Sequence, residues 1–245
     1  MYREHQPHIS LSPFVDSYWT FTGFPVTGEP VVVFPDGCVD IIFRRDKDSG
    51  NFRPVIVGTM TSYIEVTSEY APSFGVRFKP TGITAFTRVP VEEFTNRNVA
   101  LELIDTLFEK SFFEVLPEKK SVEELMAYMN YYLMGQRPYL YHPDKQIIRA
   151  VDFIHFSKGQ LPLSKVASEI CLGQRHFERK FKSKIGVSPK TFAKIIRFKH
   201  AMRCLQHYPD KDLLSVAIEC GYYDHTHLIK DFKALSGNTP TSLRC

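Results

Sequence analysis

Two segments of the chain carry side chains suited to chemistry with a nucleic acid. The first is QRHFERKFKSKIGVSP, Gln174 to Pro189. Its apolar residues Phe177, Phe181 and Ile185 recur every four positions, which predicts a helix with one buried face. Arginine can donate two parallel hydrogen bonds to guanine, and glutamate can accept one from cytosine, so the opposite face is suited to reading bases. That face holds Arg175, Glu178, Arg179 and Lys182, and Gln174 at the start of the segment is a further candidate for DNA binding.

A second segment, HTHLIKDFKALSGNTP, repeats this pattern 51 positions later and extends from His225 to Pro240. Its outward side chains form a weaker and more polar set. They are His225, Thr226, His227, Lys230 and Lys233. Upstream of each segment lies a shorter helical pattern, Val166-Ala167-x-Glu169 and Val216-Ala217-x-Glu219. A short helix, a tight turn and a polar helix, present twice, predict a duplicated helix-turn-helix whose second helices enter the major groove.

The charge distribution divides the chain into two parts. Residues 144–245 contain 18 Lys and Arg against 9 Asp and Glu, whereas residues 1–143 contain 13 against 18. A basic C-terminal part suits a polyanion such as double-stranded DNA, and an acidic N-terminal part indicates a different task. The segment GQRPYLYHP, residues 135–143, has two prolines and a glycine and is expected to be a linker. We therefore expect an N-terminal domain at 1–134 and a DNA-binding domain at 144–245.

The totals place limits on the class of protein. At 245 residues the chain is long enough for two separate cores. No apolar run has the length of a membrane helix, and the N-terminal MYREHQPHISLSPF lacks the apolar stretch of a signal peptide. Five scattered cysteines fit reduced thiols better than a disulfide framework. These features predict a cytoplasmic protein with no membrane partner.

The first 90 or so residues are expected to be β-rich, with Trp19 in the core. Short β-branched and aromatic runs, separated by Pro and Gly, predict the strands of a compact sandwich or barrel. These runs are Val31 to Phe34, Val39 to Phe43, Val55 to Val57, Tyr63 to Val66 and Phe74 to Phe78.

From Val91 to Met134 the apolar period becomes helical. One predicted helix follows the N-cap candidate Ser121, and an earlier one ends near Phe112 and Phe113, which look exposed. The apolar stripe of the earlier helix is Leu101, Leu103, Ile104, Leu107 and Phe108. Such helices either form a dimer seam or close the N-terminal core.

The C-terminal part is expected to be all-α. Asp144 should cap its first helix and Asp224 the second groove-facing helix, whereas Gly173 offers no side-chain cap to the first. Pro189 should begin a long apolar helix that ends near Tyr208. The fold class is therefore α+β, a β-rich N-terminal domain with following helices and an all-α C-terminal domain.

Residues 144–244 resemble the DNA-binding domain of AraC-family transcriptional regulators. The resemblance is carried by VASEICLGQRHFERKFKSKIGVSP and by VAIECGYYDHTHLIKDFKALSGNTP. It implies seven helices in two subdomains, with two recognition helices that read successive major-groove segments. The resemblance implies that Arg175, Glu178 and Arg179 fall at base-reading positions of the first recognition helix. It places His225, Thr226, His227 and Lys230 at those of the second. The departures are Gly173, Tyr222-Tyr223 and Asn238-Thr239.

The N-terminal part, through SYWTF, PDGCVDIIF and GVRFKPTGI, is similar to a poorly characterised sensor-like domain that occurs fused to AraC-type domains. The predicted function is sequence-specific transcription regulation, modulated by this domain and without enzymatic activity or cofactor. Besides DNA, candidate partners are RNA polymerase, an unidentified small-molecule effector and a second copy of the chain. Candidate effector-binding residues are Asp36, Cys38 and Arg77.

Two alternatives remain open at this stage. The N-terminal domain could be an enzyme or a reactive-cysteine sensor tethered to DNA through Cys38, although a small buried strand residue is the more common role of a free cysteine. It could also be a dimerisation module without a ligand. No metal site is expected, because no Cys and His cluster has zinc spacing and Cys171 and Cys220 are interpreted as packing residues.

Overall fold

The structure, a computed structural model, describes residues 1–23, 30–45, 52–66, 72–101, 107–136 and 140–244. Within these ranges the chain is α+β, as expected, with strands in the N-terminal part and helices after it. Leu103, Ile104, residues 137–139 of the expected linker, and Cys245 lie outside the described residues.

The N-terminal part is built on antiparallel strands. The strands are β1 (Tyr2–His5), β2 (Val15–Phe21), β3 (Val31–Val33), β4 (Val39–Arg45), β5 (Phe52–Val57), β6 (Ile64–Val66), β7 (Ser73–Phe78) and β8 (Asn98–Ala100). Six form one sheet in the order β1-β2-β7-β4-β5-β8, and β3 pairs with β6. All five predicted strand runs are strands here. Trp19 is buried across from Gly75, where a Cβ would lie 2.0 Å from the indole, so this position needs glycine.

Two helices cover this sheet, α1 (Lys110–Val115) and α2 (Val122–Gly135). The capping prediction is confirmed, because Ser121 Oγ accepts the Glu124 amide at 3.1 Å. Two expectations were wrong. Leu107 and Phe108 lie in a bend and not in a helix, and Phe112 is fully buried because its ring packs among Phe43, Phe108 and the tyrosines of α2.

The C-terminal part is helical. Its helices are α3 (Lys145–Phe156), α4 (Leu163–Glu169), α5 (Gln174–Ile185), α6 (Pro189–His207), α7 (Leu213–Glu219) and α8 (His225–Ser236), followed by a 3₁₀ helix at Thr241–Leu243. Asp144 caps α3 and Asp224 caps α8, as predicted. Two apolar clusters form its cores, one around α3 to α5 and one around α7 and α8, and α6 contributes side chains to both. The long helix α6 therefore connects the two helix-turn-helix units.

Candidate nucleic-acid interface

The two units repeat each other in detail. Helices α4 and α7 have seven residues each, and α5 and α8 have twelve each. Both longer helices end at a glycine with positive φ, Gly186 at 92° and Gly237 at 72°. This left-handed conformation favours glycine and stops a helix sharply. The internal repeat in the sequence is thus a repeat in three dimensions.

Helix α5 places its polar side chains as expected. Phe177, Phe181 and Ile185 are fully buried. Gln174, Arg175, Glu178, Arg179 and Lys182 are exposed. The Gln174 amide donates to Glu178 Oε1 at 2.7 Å, and within the described part of the chain neither Arg175 nor Arg179 forms an ion pair. Because arginine binds guanine or phosphate through free guanidinium hydrogens, both side chains are available to DNA.

Lys180 has a different task from the other basic residues of α5. Its Nζ lies 2.8 Å from Asp144 Oδ2 and donates to Gln146 Oε1 at 2.7 Å. Although burial alone would raise the pKa of Asp144, hydrogen bonds from Lys180 and from backbone amides lower it. Lys180 therefore anchors the recognition helix α5 to the start of α3.

Helix α8 exposes His225, Thr226, Lys230 and Lys233 but turns His227 partly inward. The His227 ring meets Tyr222 edge-on at 5.2 Å, and its Nε2 lies 4.0 Å from Asp231 Oδ2. Asp231 is itself buried and pairs with Lys194 of α6 at 3.1 Å. Of the five residues predicted for the second unit, His227 is thus the one that contributes to packing.

The N-terminal part touches the C-terminal ends of both recognition helices, which the sequence did not predict. The hydroxyl of Thr59 donates to the Ile185 carbonyl at 2.6 Å, and that of Thr95 donates to the Gly186 carbonyl at 2.7 Å. Glu92 pairs with Lys182 at 3.3 Å. At the other unit, the Tyr63 ring lies against Gly237, where a Cβ would meet it at 2.6 Å. We call these four residues, Thr59, Tyr63, Glu92 and Thr95, the contact patch.

An apolar contact accompanies the contact patch. Phe34 packs edge-on against Phe198 at 6.0 Å and joins the core of the second unit. The turn at Gly37 lies on the ring of Phe192, since a Cβ at Gly37 would be 2.6 Å from it. The N-terminal part therefore contacts α5, α6 and the end of α8, while the N-terminal turns of α5 and α8 stay exposed.

The three candidate effector residues lie together around Arg77. Arg77 faces Asp40 across the ladder between β4 and β7, and its Nη1 donates to Glu4 at 3.1 Å. Its Nε is 3.2 Å from Asp36 and 3.4 Å from Asp40 but is not aligned for a hydrogen bond, so these attractions are between charges. Asp36 also accepts the Cys38 amide at 2.9 Å. The charges of these groups thus offset one another, although the buried Arg77 Nε–H has no hydrogen-bond partner among the described residues. Asp36 has the turn role that its Pro-Asp-Gly context also allowed.

Cys38 is half-buried and lies just before β4. Burial, and secondarily the nearby Asp36 carboxylate, raise the pKa of its thiol well above the usual value. Since the thiolate is the reactive form, a thiol held protonated is a poor nucleophile. A cleft of about 400 Å³ opens nearby, but its lining includes Glu4, Asp16 and Lys79 and none of the three candidate residues. Although Cys38 is only half-buried, the raised pKa of its thiol argues against a reactive thiolate.

Asp40 is expected to report pH through the single tryptophan. Burial raises the pKa of Asp40 to about 6; the charge of Asp36 also raises it, whereas the charge of Arg77 lowers it. The Oδ1 atom of Asp40 accepts a hydrogen bond from the Trp19 indole N–H at 2.6 Å. The fluorescence of Trp19 in the native protein should therefore change with pH, with a midpoint near pH 6. This change should be absent in the Asp40→Asn variant. Because the folded pKa exceeds the usual 3.8, the Asp40 contribution to stability is present at low pH and lost as pH rises through about 6.

The matching stability experiment uses urea unfolding at several pH values. The difference in unfolding free energy between the native protein and Asp40→Asn should decrease as the pH rises from about 4 to about 6, the range between the usual and the raised pKa of Asp40. A difference that rose with pH, or a fluorescence step kept by Asp40→Asn, would contradict this assignment.

Comparisons with known proteins agree with this geometry. Residues 166–245 match a family described as a helix-turn-helix domain, and residues 3–100 match a domain of unknown function, DUF6597. No curated protein matches the chain. Within the described part of the chain, no helix is both long enough and apolar enough to cross a membrane.

Two solved structures illustrate the similarity of this chain to known folds. The C-terminal domain of AraT, a response regulator from Geobacillus stearothermophilus, is 24% identical, with 41% of this chain and 84% of that one covered and a TM-score of 0.38. ToxT from Vibrio cholerae is 11% identical, with 99% and 96% covered and a TM-score of 0.44. These TM-scores are too low to support statements about function. The helix-turn-helix match and the duplicated units make residues 166–245 a duplicated helix-turn-helix domain, which is the fold that the resemblance to AraC-family regulators implied, and residues 3–100 match a domain of unknown function.

Proposed function

We propose that this protein is a transcription regulator that binds double-stranded DNA sequence-specifically through α5 and α8. The observation that carries the proposal is the pair of equivalent units, each presenting an exposed polar helix start on the basic part of the chain. A recognition helix reads bases with its first residues, and the excess of Lys and Arg supplies attraction to phosphates. The match of residues 166–245 to a helix-turn-helix domain family supports the same function.

The strongest base readers in this proposal are Arg175 and Arg179, with Glu178 and Gln174 beside them. Helix α8 supplies His225, Thr226, Lys230 and Lys233, a set that relies more on phosphate contact and single hydrogen bonds. The second DNA segment should therefore be read less strictly than the first. We place the domain boundary between the end of α2 at Gly135 and the start of α3 at Lys145.

Selection of bound duplexes from a random pool, with the full-length protein, tests this function. The selected DNA should contain two preferred segments about 10 base pairs apart, one helical turn, because two groove-reading helices on one protein face successive turns. Gel shifts with the selected DNA should then resist excess random competitor. If excess random competitor removed all binding to the selected DNA, sequence specificity would be contradicted.

We further propose that the contact patch sets the spacing of the two recognition helices. It holds the ends of α5 and α8 that point away from the base-reading residues, so the docked N-terminal part leaves both reading ends free. A ligand or partner that shifts the N-terminal part would change this spacing and hence DNA affinity. RNA polymerase, a small molecule and a second copy of the chain are the candidate partners for such regulation.

The double substitution Thr59→Val and Thr95→Val tests the contact patch. It removes two hydroxyl donors to the carbonyls of Ile185 and Gly186 while keeping side-chain shape. With about 1 kcal/mol for each hydrogen bond, affinity for two-segment DNA should fall by up to about 30-fold. Fluorescence anisotropy titrations measure this loss.

The control for that experiment is Thr22→Val, since Thr22 is exposed and lies in the N-terminal part away from α5. DNA containing only the segment read by α5 supplies a second comparison, because its binding does not depend on the spacing of two helices. An equal loss on both kinds of DNA would show that the patch does not act through spacing.

A further inference from the structure

Three side chains that can ligate a metal ion meet in the second helix-turn-helix unit. His200 and Cys204 come from α6, and Cys220 caps the C-terminal end of α7. The ligand atoms of all three lie within 4.8 Å of one another, and the two ring nitrogens of His200 are 3.8 and 3.9 Å from Cys204 Sγ. Both cysteines are buried and His200 is half-buried.

The backbone fixes this arrangement. His200 and Cys204 are four residues apart, so they lie on one face of α6. The Cys220 amide donates to the Val216 carbonyl at 3.0 Å, and Gly221 turns the chain with φ at 76°. Bonds of about 2.3 Å to sulfur and about 2.0 Å to nitrogen separate ligand atoms of a tetrahedral zinc site by about 3.5–3.8 Å. The observed spacing reaches this range with small side-chain rotations.

We propose that His200, Cys204 and Cys220 form a binding site for a thiophilic divalent metal ion such as Zn²⁺. On binding, the two thiols form bonds from sulfur to the metal and release their two protons to solvent, with no electron transfer. One His and two Cys ligands leave a fourth coordination position for water. The ion would connect α6 to the turn that positions α8, so it would stabilise the second recognition unit.

Packing alone is the competing explanation. The equivalent place in the first unit, 50 positions earlier, is taken by the buried apolar residue Ile170, and no metal ligand is needed there. Packing explains why Cys220 is buried. It does not require a second thiol and an imidazole at ligand distance. The two explanations differ in a single measurable property, the binding of a metal ion to the reduced full-length protein.

Titration of the reduced, chelator-treated full-length protein with Co²⁺ tests the proposal. Thiolate coordination gives a charge-transfer absorption band that saturates at one ion per chain and is removed by added Zn²⁺. Zinc should also raise the thermal midpoint, because it binds the folded state. Elemental analysis after dialysis should find one zinc ion per chain. The proposal does not depend on DNA binding, so its outcome is separable from the proposed function.

Matched variants locate the site. Cys204→Ala and Cys220→Ala should abolish the band. Cys171, which was expected to pack, is exposed, so Cys171→Ala should keep the band. His200 is only half-buried, so His200→Asn should disturb the fold less than the two cysteine substitutions. This variant should weaken the band. The proposal is wrong if the native reduced protein binds no Co²⁺ or Zn²⁺. It is also wrong if His200→Asn, with native circular dichroism, binds both ions as the native protein does, or if Cys171→Ala alone loses them.

Discussion

Replacing Arg179 by alanine should weaken binding to the selected DNA by about 1–3 kcal/mol, or about fivefold to 150-fold. Arg179 is exposed on the outward face of α5, and its guanidinium has no ion pair within the described residues, so its hydrogen-bonding capacity is free. The loss should fall on one base pair. DNA altered at that base pair should bind the native protein and the variant with nearly equal affinity. A double-mutant cycle that combines Arg179→Ala with the base-pair change would measure this.

Lys182→Ala is the matched control for Arg179→Ala. Lys182 lies one turn further along α5, toward the contact patch, and pairs with Glu92 there. Because the Glu92 pair belongs to the contact patch, this comparison uses DNA that contains only the segment read by α5. A lysine at this position supplies charge to phosphates and no base reading, so on that DNA the variant should weaken all sequences alike and reduce the salt dependence of binding. If Arg179→Ala also weakened all sequences alike, α5 would contact the backbone and would not read bases through this residue.

Much of the C-terminal part was predictable because its signals are local. Apolar residues four apart fixed the buried face of α5, and glycine at position 186 marked where that helix ends. The repeat then extended this information to α8. Strands β4 and β7 were predictable for a related reason, since an alternating or β-branched run defines a strand without knowledge of its partner.

The contacts between the two parts were not predictable from local patterns. Thr59 and Ile185 are 126 positions apart, and nothing in a single threonine indicates which distant carbonyl it will cap. The wrong helix prediction around Phe108 has a similar origin. Its apolar spacing fits a helix, but aromatic packing against Phe43 and Phe112 holds it in a bend. The spacing of His200 and Cys204 was a readable signal, whereas Cys220 joins them only through the fold.

Replacing Phe192 by alanine should lower the unfolding free energy by about 3–5 kcal/mol, the usual cost of deleting a buried aromatic ring. Phe192 is fully buried near the start of α6. Its ring packs 5.5 Å from both Phe181 of α5 and His155 of α3, and the Gly37 turn of the N-terminal part lies on it. The substitution therefore loosens α5 and its contact with the N-terminal part at once. Urea unfolding measures the loss.

Phe112→Ala separates stability from DNA binding. Phe112 is equally buried, but its aromatic contacts, to Phe43, Phe108 and Tyr128 among others, lie in the N-terminal part. Both variants should lose similar stability, and at low temperature, where both remain folded, only Phe192→Ala should lose DNA affinity. The single tryptophan, Trp19 on β2, adds a stricter criterion. If the two parts unfold together, Phe192→Ala must shift the unfolding transition that Trp19 fluorescence reports. An unchanged transition would mean that the N-terminal part unfolds independently of the recognition helices.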